Sequence, residues 1–333
     1  MLFSFLTCSD FVVRLLQSIV RDASLAVDRF RGGLKMVLSH GPEETDLTQP
    51  ITLRGADSNC LKADFWEGEG DYLAILLHGG GQTRHSWRRA TAALLSRGYA
   101  VLSYDARGHG DSEWIADGDY RYQAHGEDLR HICDGFAASK RIVLIGASMG
   151  GMAALYAAGH SKAHIAALVL VDIVPWPVQA GADSILAFMK AHGEGFESHA
   201  DALQAVGQAF PDRQSGGNVA RIARNLRKRE NGRFYWHWDP RLLDHQGLAE
   251  AIVAEGWVER ATSTFLGPTL VLKGAISDVI DEQGIARLRC EMPQLESRSI
   301  PGAGHMIVGD NNDAFNDAVA AFLDAHLDSA FPT

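Results

Sequence analysis

Apolar positions along this chain fall into short unbroken runs separated by longer amphipathic stretches. Runs at Tyr72–Leu77 and at residues 99–104, 142–145, 166–171 and 269–273 have the length of strands. They lack the polar alternation of a half-exposed sheet. Such runs belong to strands buried on both faces of a parallel sheet. Residues 295–300 read as a last strand. Two shorter candidates, 51–53 and 61–66, flank the turn residues 55–59 and read as an opening antiparallel pair. Between the runs lie helical patterns at 87–97, 120–138, 152–158 and 314–327. Strand and helix in alternation predict an α/β fold: a mostly parallel central sheet with helices on both faces.

The alternation stops at Pro175-Trp176-Pro177. From there to about residue 266 no strand run occurs, and residues 184–210 and 218–229 pattern as helices. This predicts a helical cap inserted between strands 6 and 7. The expected domains are then 1–45, 46–174 (core, first part), 175–266 (cap) and 267–333 (core, second part). An insertion there sits at the strand ends, where α/β sheets bind ligands. In residues 1–45 the positions Val12, Leu16, Val20, Ala23, Val27, Phe30 and Leu34 step at helical spacing. Asp10 is a plausible N-cap and Gly32-Gly33 a stop. Three readings stay open. This helix docks on the protein's own body, which is favoured; or residues 11–34 contact a membrane or partner; or the segment precedes a true start at Met36.

Composition narrows the function. At 333 residues and 46% hydrophobic, the chain can bury one large core and a subdomain. The net charge of −10 is spread out, and no basic run stands out beyond 221–229, so nucleic acid is not an expected partner. Cys8, Cys60, Cys133 and Cys290 lie far apart with no metal-ligand spacing. They read as free thiols of a reducing compartment, which predicts a cytoplasmic protein with no metal site. No apolar run approaches the ~20 residues of a membrane span.

The chemistry starts at Gly146-Ala147-Ser148-Met149-Gly150, a G-x-S-x-G. An apolar strand runs into it and an alanine-rich helix leaves it. That is the context of a nucleophile elbow, a tight turn that exposes a serine hydroxyl above the sheet. A second glycine cluster, His78-Gly79-Gly80-Gly81, follows the strand Tyr72–Leu77. Backbone N–H groups of Gly80 and Met149 are the candidate oxyanion donors. A serine is a poor nucleophile at neutral pH and needs a histidine base, oriented by a carboxylate. His305, in a glycine turn after the last strand, is the candidate base. Asp278 and Asp172 both follow strands, and Asp278 is preferred because its loop can bend toward His305. The charged loop 105–112 is expected to hold itself together, with Asp105 paired to Arg107. Trp87, Trp176, Trp236 and Trp238 are candidate pocket residues.

In combination, the order Ser148, Asp278, His305, the 146–150 elbow, the 78–81 tetrad and the 105–110 loop resemble the α/β-hydrolase superfamily over about residues 50–328. Within it the chain is most similar to capped esterases, cofactor-free haloperoxidases and C–C bond hydrolases. A serine at 148 sets it apart from the epoxide and haloalkane hydrolases of similar fold, which carry an aspartate nucleophile. The resemblance implies Ser148 as nucleophile, His305 as base, Asp278 as acid, and Gly80 and Met149 as oxyanion donors. The family loop often reads His-Gly-x-Pro, and Gly81 stands here in place of that proline. The expected activity is hydrolysis of a small, largely apolar ester through an acyl-enzyme, with no cofactor and a small-molecule substrate as partner. C–C hydrolysis, perhydrolysis and a non-catalytic ligand receptor are the alternatives.

Overall fold

A computed structural model describes residues 49–209, 222–244, 256–310 and 312–328. The amphipathic helix expected over 11–34 and the start at Met36 lie outside the described residues.

The strands are β1 Gln49–Arg54, β2 Cys60–Trp66, β3 Tyr72–Leu77, β4 Ala100–Tyr104, β5 Arg141–Ala147, β6 Ile165–Val171, β7 Leu226–Lys228, β8 Phe234–Trp236, β9 Thr269–Gly274 and β10 Leu295–Ile300. Eight form one sheet in the order β1-β2-β4-β3-β5-β6-β9-β10. Only β2 runs against its neighbours; the other pairings are parallel. Leu77 pairs with Gly146, Gly146 with Leu170, and Val171 with Leu272, so β3, β5, β6 and β9 end nearly level. Residues far apart in sequence therefore share one rim of the sheet.

The helices are α1 Arg88–Leu95, α2 Tyr122–Phe136, α3 Met149–His160, α4 Gln179–Ala191, α5 His199–Ala209, α6 Trp257–Thr264, α7 Glu282–Glu291, α8 Ile307–Asp310 and α9 Asn312–His326. Strand side chains point alternately to the two faces, and β3 shows the consequence. Leu73, Ile75 and Leu77 enter the core under α2, α3 and α6, whereas Tyr72, Ala74 and Leu76 enter the core under α1 and α9. All six are buried. At about 1.5–3 kcal/mol for each large apolar side chain removed from water, such a strand anchors the rim above it.

The inserted segment differs from the expectation in two ways. Residues 226–236 form a two-stranded hairpin (β7 and β8) rather than continuing a helix over 218–229, part of which lies outside the described residues. The aromatic residues Phe234, Tyr235 and Trp236 are of types enriched in strands. Helix α6, placed within the cap by the sequence, packs on the core instead. Trp257, Val258 and Ala261 join the sheet-side core, and a Cβ on Gly159 of α3 would meet the Ala261 Cα at 2.3 Å. The segment's own cluster is Met189, Phe196, Ala202, Val206, Ile222, Leu226, Trp236 and Trp238. Among the described residues, no helix is long and apolar enough to cross a membrane.

Candidate active site

Ser148 occupies the turn between β5 and α3. Its φ of 48° and ψ of −118° lie outside the regions open to ordinary residues. Strain of this kind persists only where the surroundings dictate it. Here they do: a Cβ at residue 150 would stand 2.5 Å from the Leu77 carbonyl oxygen, and one at 146 would stand 2.3 Å from the Gly150 oxygen. Glycine at both positions lets α3 start hard against β3. The serine is half-buried and caps the helix backbone, its carbonyl accepting from Gly151 and Met152 N–H at 2.9 and 3.1 Å.

His305 follows β10, two strands away from β6, yet its ring reaches the end of β6. The path crosses over β9 at Gly274, where a Cβ would meet the Gly304 carbonyl oxygen at 2.2 Å. Ile276 N–H donates to the Ala303 carbonyl at 3.0 Å and holds the crossing down. His305 Nδ1 then stands 2.8 Å from Asp172 Oδ2. Asp172 is wholly buried, at φ 50°. Its Oδ1 accepts the Gly274 N–H at 2.7 Å, and its Oδ2 also accepts the Ser277 hydroxyl. A carboxylate with three donors suits holding an imidazole in one tautomer with Nε2 bare.

The acid chosen from the sequence, Asp278, is not the one at the histidine. Its side chain is exposed and makes no hydrogen bond or ion pair among the described residues. The reason is local. The neighbouring Ser277 turns its hydroxyl inward to Asp172, and the chain at 278 passes beneath α4, where a Cβ on Gly181 would stand 2.3 Å from the Asp278 carbonyl oxygen.

The two candidate oxyanion donors are left open. Gly79 N–H donates to Gln82 Oε1 (3.1 Å) and Gly81 N–H to His109 Nε2 (3.2 Å); the Gly80 N–H between them has no hydrogen-bond partner among the described residues. Met149 N–H, at the first position of α3, is likewise unengaged, as the first amides of a helix are. A Cβ on Gly79 would stand 3.4 Å from Ser148 Cβ, so the loop lies against the serine. Gln82 Nε2 also donates to Met306 Sδ at 3.1 Å, which ties this loop to the residue after His305.

Of the four tryptophans, Trp238 lies at this loop: a Cβ on Gly81 would be 3.1 Å from its Cζ3. Trp236 stacks on Trp238 at 4.9 Å. Trp176 is half-buried, with the Arg287 guanidinium 3.7 Å over its ring. Trp87 is not a pocket residue. It is 1% exposed and packs against Phe315 in the core under α1 and α9. The loop 105–112 also pairs differently from expectation. Asp105 binds Arg84, while the buried Arg107 binds Asp128 through two bonds of 2.7 and 2.6 Å. Neither pairing is visible at short sequence separation.

Sequence reasoning missed a cluster of buried histidines beside the oxyanion loop. The His109 ring lies 5.0 Å from His78, 5.9 Å from His237 and 6.3 Å from His125. Burial, then the neighbouring rings or Arg84, disfavours their protonation. His78 is lowered to about 4 and His109 to about 3; His125 and His237 fall well below the usual value. Among the described residues no group of three or more His, Cys, Asp or Glu is arranged to hold a metal ion.

Comparison with known proteins agrees with this fold. A family model described as alpha/beta hydrolase fold matches residues 73–312. The esterase Rv0045c of Mycobacterium tuberculosis is 27% identical over 299 residues, covering 86% of this chain and 95% of that protein. The sn-1-specific diacylglycerol lipase ABHD11 of Mus musculus is 28% identical over 290 residues, covering 86% and 89%. The crystal structure of E-2-(acetamidomethylene)succinate hydrolase superposes with a TM-score of 0.71 at 18% identity, over 83% of this chain and all of that one, a likeness of fold.

Proposed function

Since the chain belongs to the α/β-hydrolase fold family, we propose that it is a serine hydrolase cleaving a carboxylic ester through an acyl-enzyme. Ser148 attacks the ester carbonyl while His305 Nε2 takes its proton. Asp172, in place of Asp278, holds the imidazole and stabilises its cation. The tetrahedral oxyanion is received by the Gly80 and Met149 N–H groups. The imidazolium returns its proton to the leaving alcohol, and a water activated by the same ring then releases the acid and frees Ser148.

The observation that carries this reading is the 2.8 Å contact between His305 and the buried Asp172 at the rim that holds the strained Ser148. An imidazole held through Nδ1 has its Nε2 free to act as a base. Phe188, Phe196, Trp236 and Trp238 form an apolar cluster in the inserted segment next to the oxyanion loop, which favours a largely apolar acyl or alcohol group. Esterase and diacylglycerol-lipase activities among the relatives point to the same bond. The test is turnover of p-nitrophenyl butyrate together with labelling by a fluorophosphonate. Ser148→Ala should abolish both while the far-UV spectrum and melting stay as in wild type. Retained labelling or turnover in that variant would refute the assignment.

A further inference from the structure

Three histidines outside the proposed triad each bridge the oxyanion loop to a second loop. His78 Nδ1 lies 2.8 Å from the Gly79 carbonyl, and its Nε2 accepts the Ala106 N–H at 3.0 Å. His109 Nε2 accepts the Gly81 N–H at 3.2 Å, and its Nδ1 lies 3.0 Å from the Arg107 carbonyl. His237 Nδ1 accepts the Gly110 N–H at 2.7 Å, and its Nε2 lies 3.3 Å from the Gly81 carbonyl. A nitrogen that accepts from a backbone N–H must be bare, so the other nitrogen of each ring carries the proton and donates to its carbonyl. All three rings are thereby neutral and fixed in one tautomer.

The three bonds to the oxyanion loop fall on three successive peptide groups. His78 holds the 79–80 group, His109 the 80–81 group and His237 the 81–82 group. A peptide is planar and trans, so its C=O and N–H point in opposite directions. Holding the Gly79 carbonyl therefore aims the Gly80 N–H, and fixing the next two planes stops that aim from rotating. His237 does not belong to the core. It follows β8 in the inserted hairpin, and Asp239 N–H, two residues on, donates to the Gly108 carbonyl at 2.9 Å.

We propose that His78, His109 and His237 form a clasp that presets the Gly80 donor, and that through His237 the inserted segment helps hold the oxyanion loop in place. His109 and His237 are positioning residues: they act through Gly81 and touch no reacting atom. The inference rests on the esterase reading, and it makes the segment that borders the substrate also a determinant of rate.

The test exploits the two ring nitrogens. A Gln side chain places its amide near the position of Nε2, and an Asn side chain near that of Nδ1. His237→Gln therefore keeps the donor to Gly81, whereas His237→Asn loses it. With p-nitrophenyl butyrate, His237→Asn should lower kcat about tenfold and leave KM within about twofold. Binding of an aryl trifluoromethyl ketone, which forms an oxyanion on Ser148, should weaken by the same factor. His237→Gln should recover to within about threefold of wild type. The matching pair at His109 (Gln keeps the acceptor for Gly81 N–H, Asn does not) carries the same comparison should the His237 variants fail to fold. Equal effects of Gln and Asn, or a change confined to KM, would overturn the clasp while leaving the esterase reading intact. A wild type that neither labels nor turns over would overturn both.

Discussion

Acidification should destabilise this fold steeply, and the buried histidines set the size of the effect. In the folded protein His78 titrates at about 4 and His109 at about 3, because both rings are desolvated and crowded by other cationic candidates. In the unfolded chain each returns to about 6.5. The unfolded chain therefore takes up protons that the folded one refuses. Stability is complete above about pH 6.5 and is lost as pH falls toward the folded values. Each ring neutral in the fold and charged outside it contributes a slope of about 1.4 kcal/mol per pH unit, or about 2 kcal/mol between pH 7 and pH 5. The two together remove about 4 kcal/mol, against a total of about 5–15 kcal/mol for a typical domain. His125 and His237 shift in the same direction. Urea unfolding of wild type and His109→Gln at pH 7, 6 and 5 measures this directly. The stability difference between wild type and variant should shrink by about 2 kcal/mol from pH 7 to pH 5, since the variant has one fewer ring to protonate. Curves that run parallel would refute the claim that His109 is held neutral.

Two further outcomes follow from close contacts. Gly274→Ala puts a Cβ into the Gly304 carbonyl and lifts the His305 loop from Asp172; kcat for an activated ester should fall about 100-fold, the cost of a misplacement near 1 Å. Arg107→Met removes the two-pronged partner of buried Asp128 and the 3.0 Å pairing with Asp57; urea unfolding should show a loss of about 3–5 kcal/mol.

The sheet was legible because its central strands are buried on both faces, which is what an unbroken apolar run such as Tyr72–Leu77 requires. The tight turn around Ser148 was legible because close backbone approach demands glycine at 146 and 150. The choice of acid was not. Asp172 and Asp278 follow β6 and β9, which are neighbours in the sheet, so the strand order places both at the same rim. The decision rests on a positive φ at Asp172 and on the inward hydroxyl of Ser277, neither of which periodicity can read. A signal was nevertheless present. Asp172 continues an all-apolar run of seven residues without a break, and a carboxylate buried there requires partners. The histidine clasp escaped because its members, at 78, 109 and 237, meet only through loop packing. The hairpin at β7 and β8 was hidden by its brevity: three residues per strand fit either period.

The pairing of His305 with Asp172 is tested most directly by substituting each aspartate alone. Steady-state hydrolysis of p-nitrophenyl butyrate by Asp172→Asn should show kcat down by about 10³–10⁴ through the wrong imidazole tautomer, while Asp278→Asn stays within about twofold of wild type. The reverse result, an active Asp172→Asn and a disabled Asp278→Asn, would contradict the account at its centre.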